Sequence, residues 1–457
     1  MAELEDVAGG DLASAMRQAA AFLMGTPRRL VRVVSHYDVD GICAGSIATA
    51  ACLRAGLRVH TSFMDNPGPV ELARISEGAW DVGVVSDMGS GQVAELAAIG
   101  RPIIIMDHHV KQGGERPQHV HEVNAGDFGY DGAKDLCGST MALLFALAVG
   151  GEANWDLAPQ ALAGAIGDMQ DVGGWRKANA AIVTEAVRRG VLDARRSVAV
   201  SGPTVQAALE RGNDPFVKGV SGSPEGAAAL LAKLGIDGGK PVEALTPQEV
   251  RALGSCLVVS LVGAGVVPRS AQRVVQERLW WTQRGVWVDD FSHEVNAAGR
   301  LNKAGLGAGA CLGCHVCTER CREAREQYRS DVRAGLIDLE RRGAQRMRHI
   351  QWFDSPAGHV SGSLAGLGII YVLPKDAPVL ALFPTKDELK VSGRATDEQV
   401  ASGVDLARVM EVAAGEVGGR GGGHPVAAGA TVPLEARDPF LARADGLVGE
   451  QLAAKGK

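Results

Sequence analysis

The sequence predicts an α/β protein: an N-terminal domain on a parallel sheet, a helical connector and a smaller C-terminal α/β domain. Three observations carry this. Short β-branched runs alternate with alanine-rich segments over the first 170 residues, helical composition dominates the middle, and strand-like runs return after residue 350. A chain of 457 residues, at about 150 per domain, holds two or three domains, and 46% hydrophobic residues supply their cores. We set the boundaries at 1–200, 201–349 and 350–457.

Leu30–Val34, Leu57–Phe63, Trp80–Val85 and Pro102–Met106 read as strands, with Ile42–Arg54, Pro69–Glu77 and Gln92–Ile99 as the helices between them. That βαβαβαβ order implies parallel strands with right-handed crossovers. Helical stretches follow from Gly138 to about Lys233, interrupted by the glycine- and proline-rich Gly212–Pro224. Cys311–Arg348 reads as one long helix whose arginines interleave with acids at pairing distance. Beyond it, Gly368–Leu373, Val379–Pro384, Glu388–Gly393 and Ala428–Val432 read as strands and Gly403–Val412 as a helix.

Only 4% of residues are aromatic and 22% are charged, and 60 glycines occur without a collagen period. The formal net charge of −6 argues against a broadly basic surface and leaves room for a local basic groove. The N-terminal run MAELEDVAGGDLASAMR is acidic and lacks the basic-then-apolar opening of an export signal. Met141–Val149 and Cys256–Pro268, the longest apolar stretches, fall short of the roughly 20 residues a bilayer-spanning helix needs. A cytoplasmic protein with no membrane partner is expected, its eight cysteines reduced or bound to metal.

Acids and histidines stand where three of the strands end. Leu30–Val34 runs into Ser35-His36-Tyr37-Asp38-Val39-Asp40-Gly41, Trp80–Val85 into Ser86-Asp87, and Pro102–Met106 into Asp107-His108-His109. In a parallel sheet the carboxyl ends of the strands line the ligand crevice, so these side chains converge. Four carboxylates and three imidazoles in one crevice repel and desolvate badly unless a cation neutralises them. Oxygen-rich donors with a few imidazoles suit Mn²⁺ or Mg²⁺, and so many donors suit two ions. A pair about 3.5–4 Å apart can activate a water for in-line attack at phosphorus. Asp168, after an apolar helix, is a further candidate ligand.

These residues resemble the four motifs of the DHH phosphoesterase superfamily, in that family's order. Gly421-Gly422-Gly423-His424-Pro425-Val426-Ala427-Ala428-Gly429-Ala430 is similar to the signature of its accessory DHHA1 domain. Asn296–Arg300 and Asp214–Gly222 are similar to segments of archaeal RecJ-like exonucleases, the GINS-associated type. The resemblance implies one ion on His36, Asp38 and Asp87 and another on Asp40, Asp87, His108 and Asp168. It also implies Asp107 orienting His108, and His109 beside the scissile phosphate. Gly421, Gly422, Gly423 and His424 would approach a phosphate through backbone amides and an imidazole, with Ser392, Arg394 and Arg300 along the nucleic-acid backbone.

Cys311, Cys314, Cys317 and Cys321 have the spacing of a ferredoxin-type iron–sulfur run, with Arg322 where proline usually follows. Their steps also place them on one face of a helix, where they can simply pack. A regular helix spreads them over about 15 Å, so Zn²⁺ or an iron–sulfur cluster requires a break, as at Gly313. Cys43, Cys52, Cys137 and Cys256 look like core.

The leading expectation is a metal-dependent exonuclease on single-stranded DNA or RNA, in repair or replication. Two alternatives stay open. One is a hydrolase of nano-RNA, cyclic dinucleotides or other small phosphoesters. The other is a replisome scaffold that retains nuclease activity, with GINS or replicative helicase subunits as partners.

Overall fold

The computed structural model describes residues 4–26, 30–65, 67–111 and 116–455. They divide into two compact units, Met1–Arg195 with Arg278–Glu326, and Arg196–Glu277 with Gln327–Lys457.

The first unit is built on five parallel strands: β1 (Leu30–His36), β2 (Arg58–Met64), β3 (Val82–Ser86), β4 (Ile103–Asp107) and β5 (Val120–Asn124). Their order is β2-β1-β3-β4-β5. The β-branched runs of β3 and β4 are buried along their whole length, as strands covered on both faces must be. The chain goes from β1 to β2 on one side and then returns to place β3 on the other. That reversal between β1 and β3 is the switch point where an open α/β sheet leaves its crevice.

Helix α1 (Val39–Arg54) follows β1, capped by the Asp38 carboxylate, which accepts the Gly41 amide at 3.0 Å. Helices α2 (Gly138–Gly150) and α3 (Ala158–Gly167) pack on α1, which is buried from Val39 to Cys52. The unit is completed by α4 (Val288–Arg300), α5 (Ala304–Cys311) and the start of α6 (His315–Arg342). Of the helix expected over Cys311–Arg348, Cys311 ends α5, His315–Arg342 is α6 and Gln345–Arg346 is a strand. Gly313, at φ 87, takes the left-handed conformation that ends α5 and turns the chain before α6.

The second unit carries a six-stranded sheet: β6 (Gln345–Arg346), β7 (Gln351–Asp354), β8 (Val379–Pro384), β9 (Glu388–Arg394), β10 (Arg420–His424) and β11 (Ala427–Pro433). The order is β10-β11-β9-β8-β7-β6, with only β7 and β8 parallel. Helices α7 (Ser361–Tyr371) and α8 (Leu406–Glu416) belong to it. Gly368–Leu373, expected as a strand, is the last turn and exit of α7. A six-residue apolar run does not tell a buried strand from a buried helix, and here the run continues a helix begun at Ser361.

The stretch expected as a helical connector is shared: 201–277 and 327–349 lie in the second unit and 278–326 in the first. The chain leaves the first unit within the strand Leu192–Val198 and returns within Val275–Trp281, and Val286–Trp287 completes that three-stranded sheet. Among the described residues no helix is long and apolar enough to cross a membrane.

Candidate metal centre

The edge of the first sheet gathers six side chains from four chain segments. His36 ends β1, Asp38 and Asp40 open α1, Asp87 follows β3, His108 follows β4 and Asp168 follows α3. Donor atoms of His36, Asp38 and Asp87 lie within 4.8 Å of one another, as do those of Asp40, His108 and Asp168. Asp87 stands between the two groups. Its Oδ2 is 3.8 Å from His36 Nδ1 and its Oδ1 is 3.1 Å from His108 Nε2. Its backbone is left-handed, φ 58, and its amide donates to the Met106 carbonyl at 2.9 Å. That conformation is uncommon outside glycine and turns the carboxylate off the strand into the crevice.

Asp40 and His108 are aimed by specific contacts. The Asp40 carboxylate sits on the N-terminus of α2, accepting the amides of Gly138 at 2.7 Å and Ser139 at 3.0 Å and the Cys137 thiol at 3.0 Å. A carbonyl oxygen can only accept, so the 2.6 Å contact between His108 Nδ1 and the Gly132 carbonyl places the proton on Nδ1. Nε2 is left to face Asp87, Asp168 at 3.6 Å and Asp40 at 3.8 Å. The Gly132 carbonyl also accepts from Gln170 Nε2 at 2.8 Å, and Gln170 Oε1 accepts from Asn179 Nδ2 at 2.6 Å.

The Asp107 side chain serves His109 where the sequence expected His108. Its Oδ1 accepts His109 Nδ1–H at 2.8 Å and the amides of His108 and His109, while Oδ2 accepts the Ser90 amide at 2.9 Å. Burial raises the Asp107 carboxyl, but the hydrogen bond and charge of His109 outweigh it and hold the group well below the usual carboxylate range. The His109 side chain, held to Asp107 through Nδ1, is 59% exposed.

The donor set fits divalent cations. Burial, followed by the charges of Asp40, Asp38 and Asp168, pushes Asp87 far above the usual carboxylate range. Asp168 is pushed up to about 8 by burial and then by Asp40. Carboxylates crowded until they hold protons lack positive charge at their centre, and oxygen and imidazole donors suit Mn²⁺ or Mg²⁺. Room is kept by glycines. A Cβ at Gly138 would lie 2.5 Å from Asp87 Cβ, and one at Gly164 would lie 2.5 Å from Asp40 Oδ1. Sequence reasoning missed Gly132, Gly138, Gly164, Gln170 and Cys137. Of these, only Gly138-Ser139-Thr140 ahead of an apolar run carried a legible signal, that of a helix start.

Residues 30–166 match the DHH family N-terminal domain, and residues 371–450 match the DHHA1 domain. The chain thus carries a DHH N-terminal domain followed by a DHHA1 domain. An uncharacterized protein of Methanocaldococcus jannaschii is 27% identical to it over 430 residues, 92% of this chain and 94% of the relative. The fold is similar to that of RecJ from Thermus thermophilus in complex with Mn²⁺, with a TM-score of 0.60 and 19% identity. That match covers 95% of this chain and 55% of RecJ, so the chain spans about half of that protein's length. It is also similar to CDC45 from Entamoeba histolytica, with a TM-score of 0.67 and 10% identity over 96% of this chain and 99% of CDC45.

In the DHH unit, Arg300 ends α4 exposed, and its positive charge helps lower the Asp38 carboxyl, after burial, which opposes, and the larger pull of His36. In the DHHA1 sheet, register across β9, β11 and β10 sets Ser392, Gly429 and Gly422 in one row and Arg394, Ala427 and His424 in another. Directly paired residues share a face, so Ser392, Arg394, Gly422 and His424 line one side. Gly421 and Gly423 point to the other. A Cβ at Gly421 would come within 2.3 Å of the Met410 carbonyl of α8, so that glycine serves packing. On the first face, α7 presents Gly362 to the Arg394 guanidinium at 3.1 Å from a Cβ position.

The cysteine run is split by the Gly313 turn. Cys311 and Cys321 are buried, Cys314 is exposed and Cys317 is half-buried. Among the described residues, no three of these thiols lie within 4.8 Å of one another. The Cys311 thiol instead neighbours that of Cys43 on α1.

Proposed function

We propose that this protein is a divalent-metal-dependent phosphodiesterase that removes nucleotides from the end of single-stranded DNA or RNA. The observation that carries the reading is the pair of adjoining donor groups that meet at the buried Asp87. His36, Asp38 and Asp87 would hold one Mn²⁺ or Mg²⁺, and Asp40, Asp87, His108 and Asp168 the other. The chemistry such a pair supplies when bound is a water of lowered pKa and charge stabilisation for in-line displacement at phosphorus.

The chain's own groups do the rest. The α2 amides hold the Asp40 carboxylate, and the Gly132 carbonyl keeps His108 in the tautomer that presents Nε2. Asp107 keeps the proton on His109 Nδ1, so the Nε2 edge can hold a second proton and give it to the leaving oxygen. Arg300 pairs with a non-bridging phosphate oxygen. The Ser392, Arg394, Gly422 and His424 face of the DHHA1 sheet supplies further donors for a phosphodiester backbone, so affinity falls as salt rises.

Release of mononucleotides from an end-labelled oligonucleotide, dependent on Mn²⁺ and lost in Asp87→Ala, tests the reading. Equal slow release by both proteins would sink it. Rates on dinucleotides against twenty-mers separate the exonuclease from a hydrolase of small phosphoesters. A replisome scaffold, the second reading, is favoured by the likeness to CDC45 over nearly its whole length. Co-purification with GINS or helicase subunits from native lysate supports it, and a lone monomer counts against it.

A further inference from the structure

Among the motifs of the sequence, the cysteine run is left unused by the metal centre. Its middle pair, Cys314-His315-Val316-Cys317, straddles the start of α6, a helix of 28 residues. Cys314 occupies the cap. Its carbonyl accepts the Thr318 amide at 3.0 Å and its Sγ accepts the Cys317 amide at 3.4 Å. The two thiols lie close enough to shift each other's acidity. Gly309 on α5 leaves the space into which the Cys317 sulfur is turned. A Cβ there would come within 2.5 Å of Cys317 Sγ and 3.7 Å of Cys314 Cβ, so any larger residue would force the sulfur out of its place beside Cys314.

The outer cysteines are placed differently. Cys311 and Cys321 are buried, and Arg284 donates to the carbonyls of Ala310 at 2.8 Å and Cys311 at 3.0 Å beneath the turn. The run thus resolves into one accessible dithiol and two enclosed thiols, and no four-thiol cage forms among the described residues.

We propose that Cys314 and Cys317 are a reversible dithiol–disulfide site, oxidised by exchange with a small-molecule disulfide such as glutathione disulfide. Cys314 releases its proton to solvent, attacks one sulfur of the small disulfide and expels one thiolate, leaving a mixed disulfide on Cys314. Cys317 then loses its proton and attacks Cys314 Sγ, expelling the second thiolate. One S–S bond breaks and one forms, and two electrons pass from the pair to the small disulfide with two protons. The roles follow from position. The Cys317 thiol and the amides at the start of α6 hold Cys314 below the usual thiol range, whereas the neighbouring Cys314 thiol, and then burial, hold Cys317 above it.

The test uses the full chain, reduced, desalted in EDTA and equilibrated anaerobically in glutathione buffers of increasing oxidising poise. Alkylation and peptide mass spectrometry read the product. The expected result is a 314–317 disulfide that dithiothreitol reverses. Cys317→Ser should accumulate glutathione on Cys314, and Cys314→Ser should leave Cys317 unmodified over the same time. Separate alkylation of both thiols at every poise overturns the proposal. So does zinc or iron co-purifying in stoichiometric amount and lost in Cys314→Ser, which would make the pair metal ligands.

Discussion

Replacing Gln170 with leucine isolates the aiming of His108 from the donors themselves. Gln170 touches no donor. It is buried, and it bonds the same Gly132 carbonyl that receives the His108 Nδ1 proton, at 2.8 and 2.6 Å. The substitution leaves that carbonyl one partner and frees the loop to rotate, so Nε2 wanders from Asp87, Asp168 and Asp40. Losing an outer partner of a metal-binding histidine costs about 10- to 100-fold in metal affinity, or about 1.4–2.7 kcal/mol. Stability suffers separately, because the fully buried Asn179 amide loses its acceptor on Gln170, a cost of about 1–3 kcal/mol. The assay is Mn²⁺ titration calorimetry beside thermal unfolding in EDTA. The double variant Gln170→Leu, Asn179→Leu removes the stranded amide and should regain stability without regaining affinity. Mn²⁺ affinity of Gln170→Leu within about two-fold of wild type would refute the relay.

Gly138→Ala should cost about 1–3 kcal/mol by thermal unfolding and weaken Mn²⁺ at least about ten-fold, because the new methyl group meets Asp87 at 2.5 Å. The metal-free protein should lose stability as pH rises. Asp168 holds its proton to about 8 when folded but releases it near 3.8 when unfolded, so the folded state is favoured below that window and the advantage fades through it. Unfolding midpoints in EDTA at about pH 5 and about pH 8 should differ in wild type, differ less in Asp168→Asn, where Asp87 still carries a raised pKa, and recover with Mn²⁺. His109→Ala should lower kcat by about 10²-fold and leave Mn²⁺ affinity within about three-fold, as calorimetry beside steady-state rates can read. Its imidazole is more than half exposed and its hydrogen bond is to Asp107, so the six expected ligands stay in place.

The metal motifs were legible because a parallel sheet turns a local pattern into a spatial one. His36, Asp87 and Asp107-His108-His109 each follow a β-branched run, and the carboxyl ends of neighbouring parallel strands lie on one edge of the sheet. The hands that aim them were not legible. Gly132 reaches His108 across 24 positions and Gly138 reaches Asp40 across 98, and no window of sequence spans such pairs. That Asp107 holds the His108 amide but the His109 ring was not legible for a related reason. Adjacency in the chain does not say which of two successive imidazoles curls back to a carboxylate, and here His109 does.

Two misreadings share one cause. Gly368–Leu373 and Cys311–Arg348 were judged by composition, whereas one glycine conformation at Gly313 and the helical residues ahead of Gly368 settled the outcome. Chemistry and chain order are one-dimensional properties, so donor types, their succession and the α/β class follow from the residues alone. Which oxygen faces which nitrogen, which tautomer His108 adopts and where a Cβ must be absent are fixed by contacts between segments far apart in the chain. Those contacts exist only once the helices α1, α2 and α3 close against one another at the edge of the sheet.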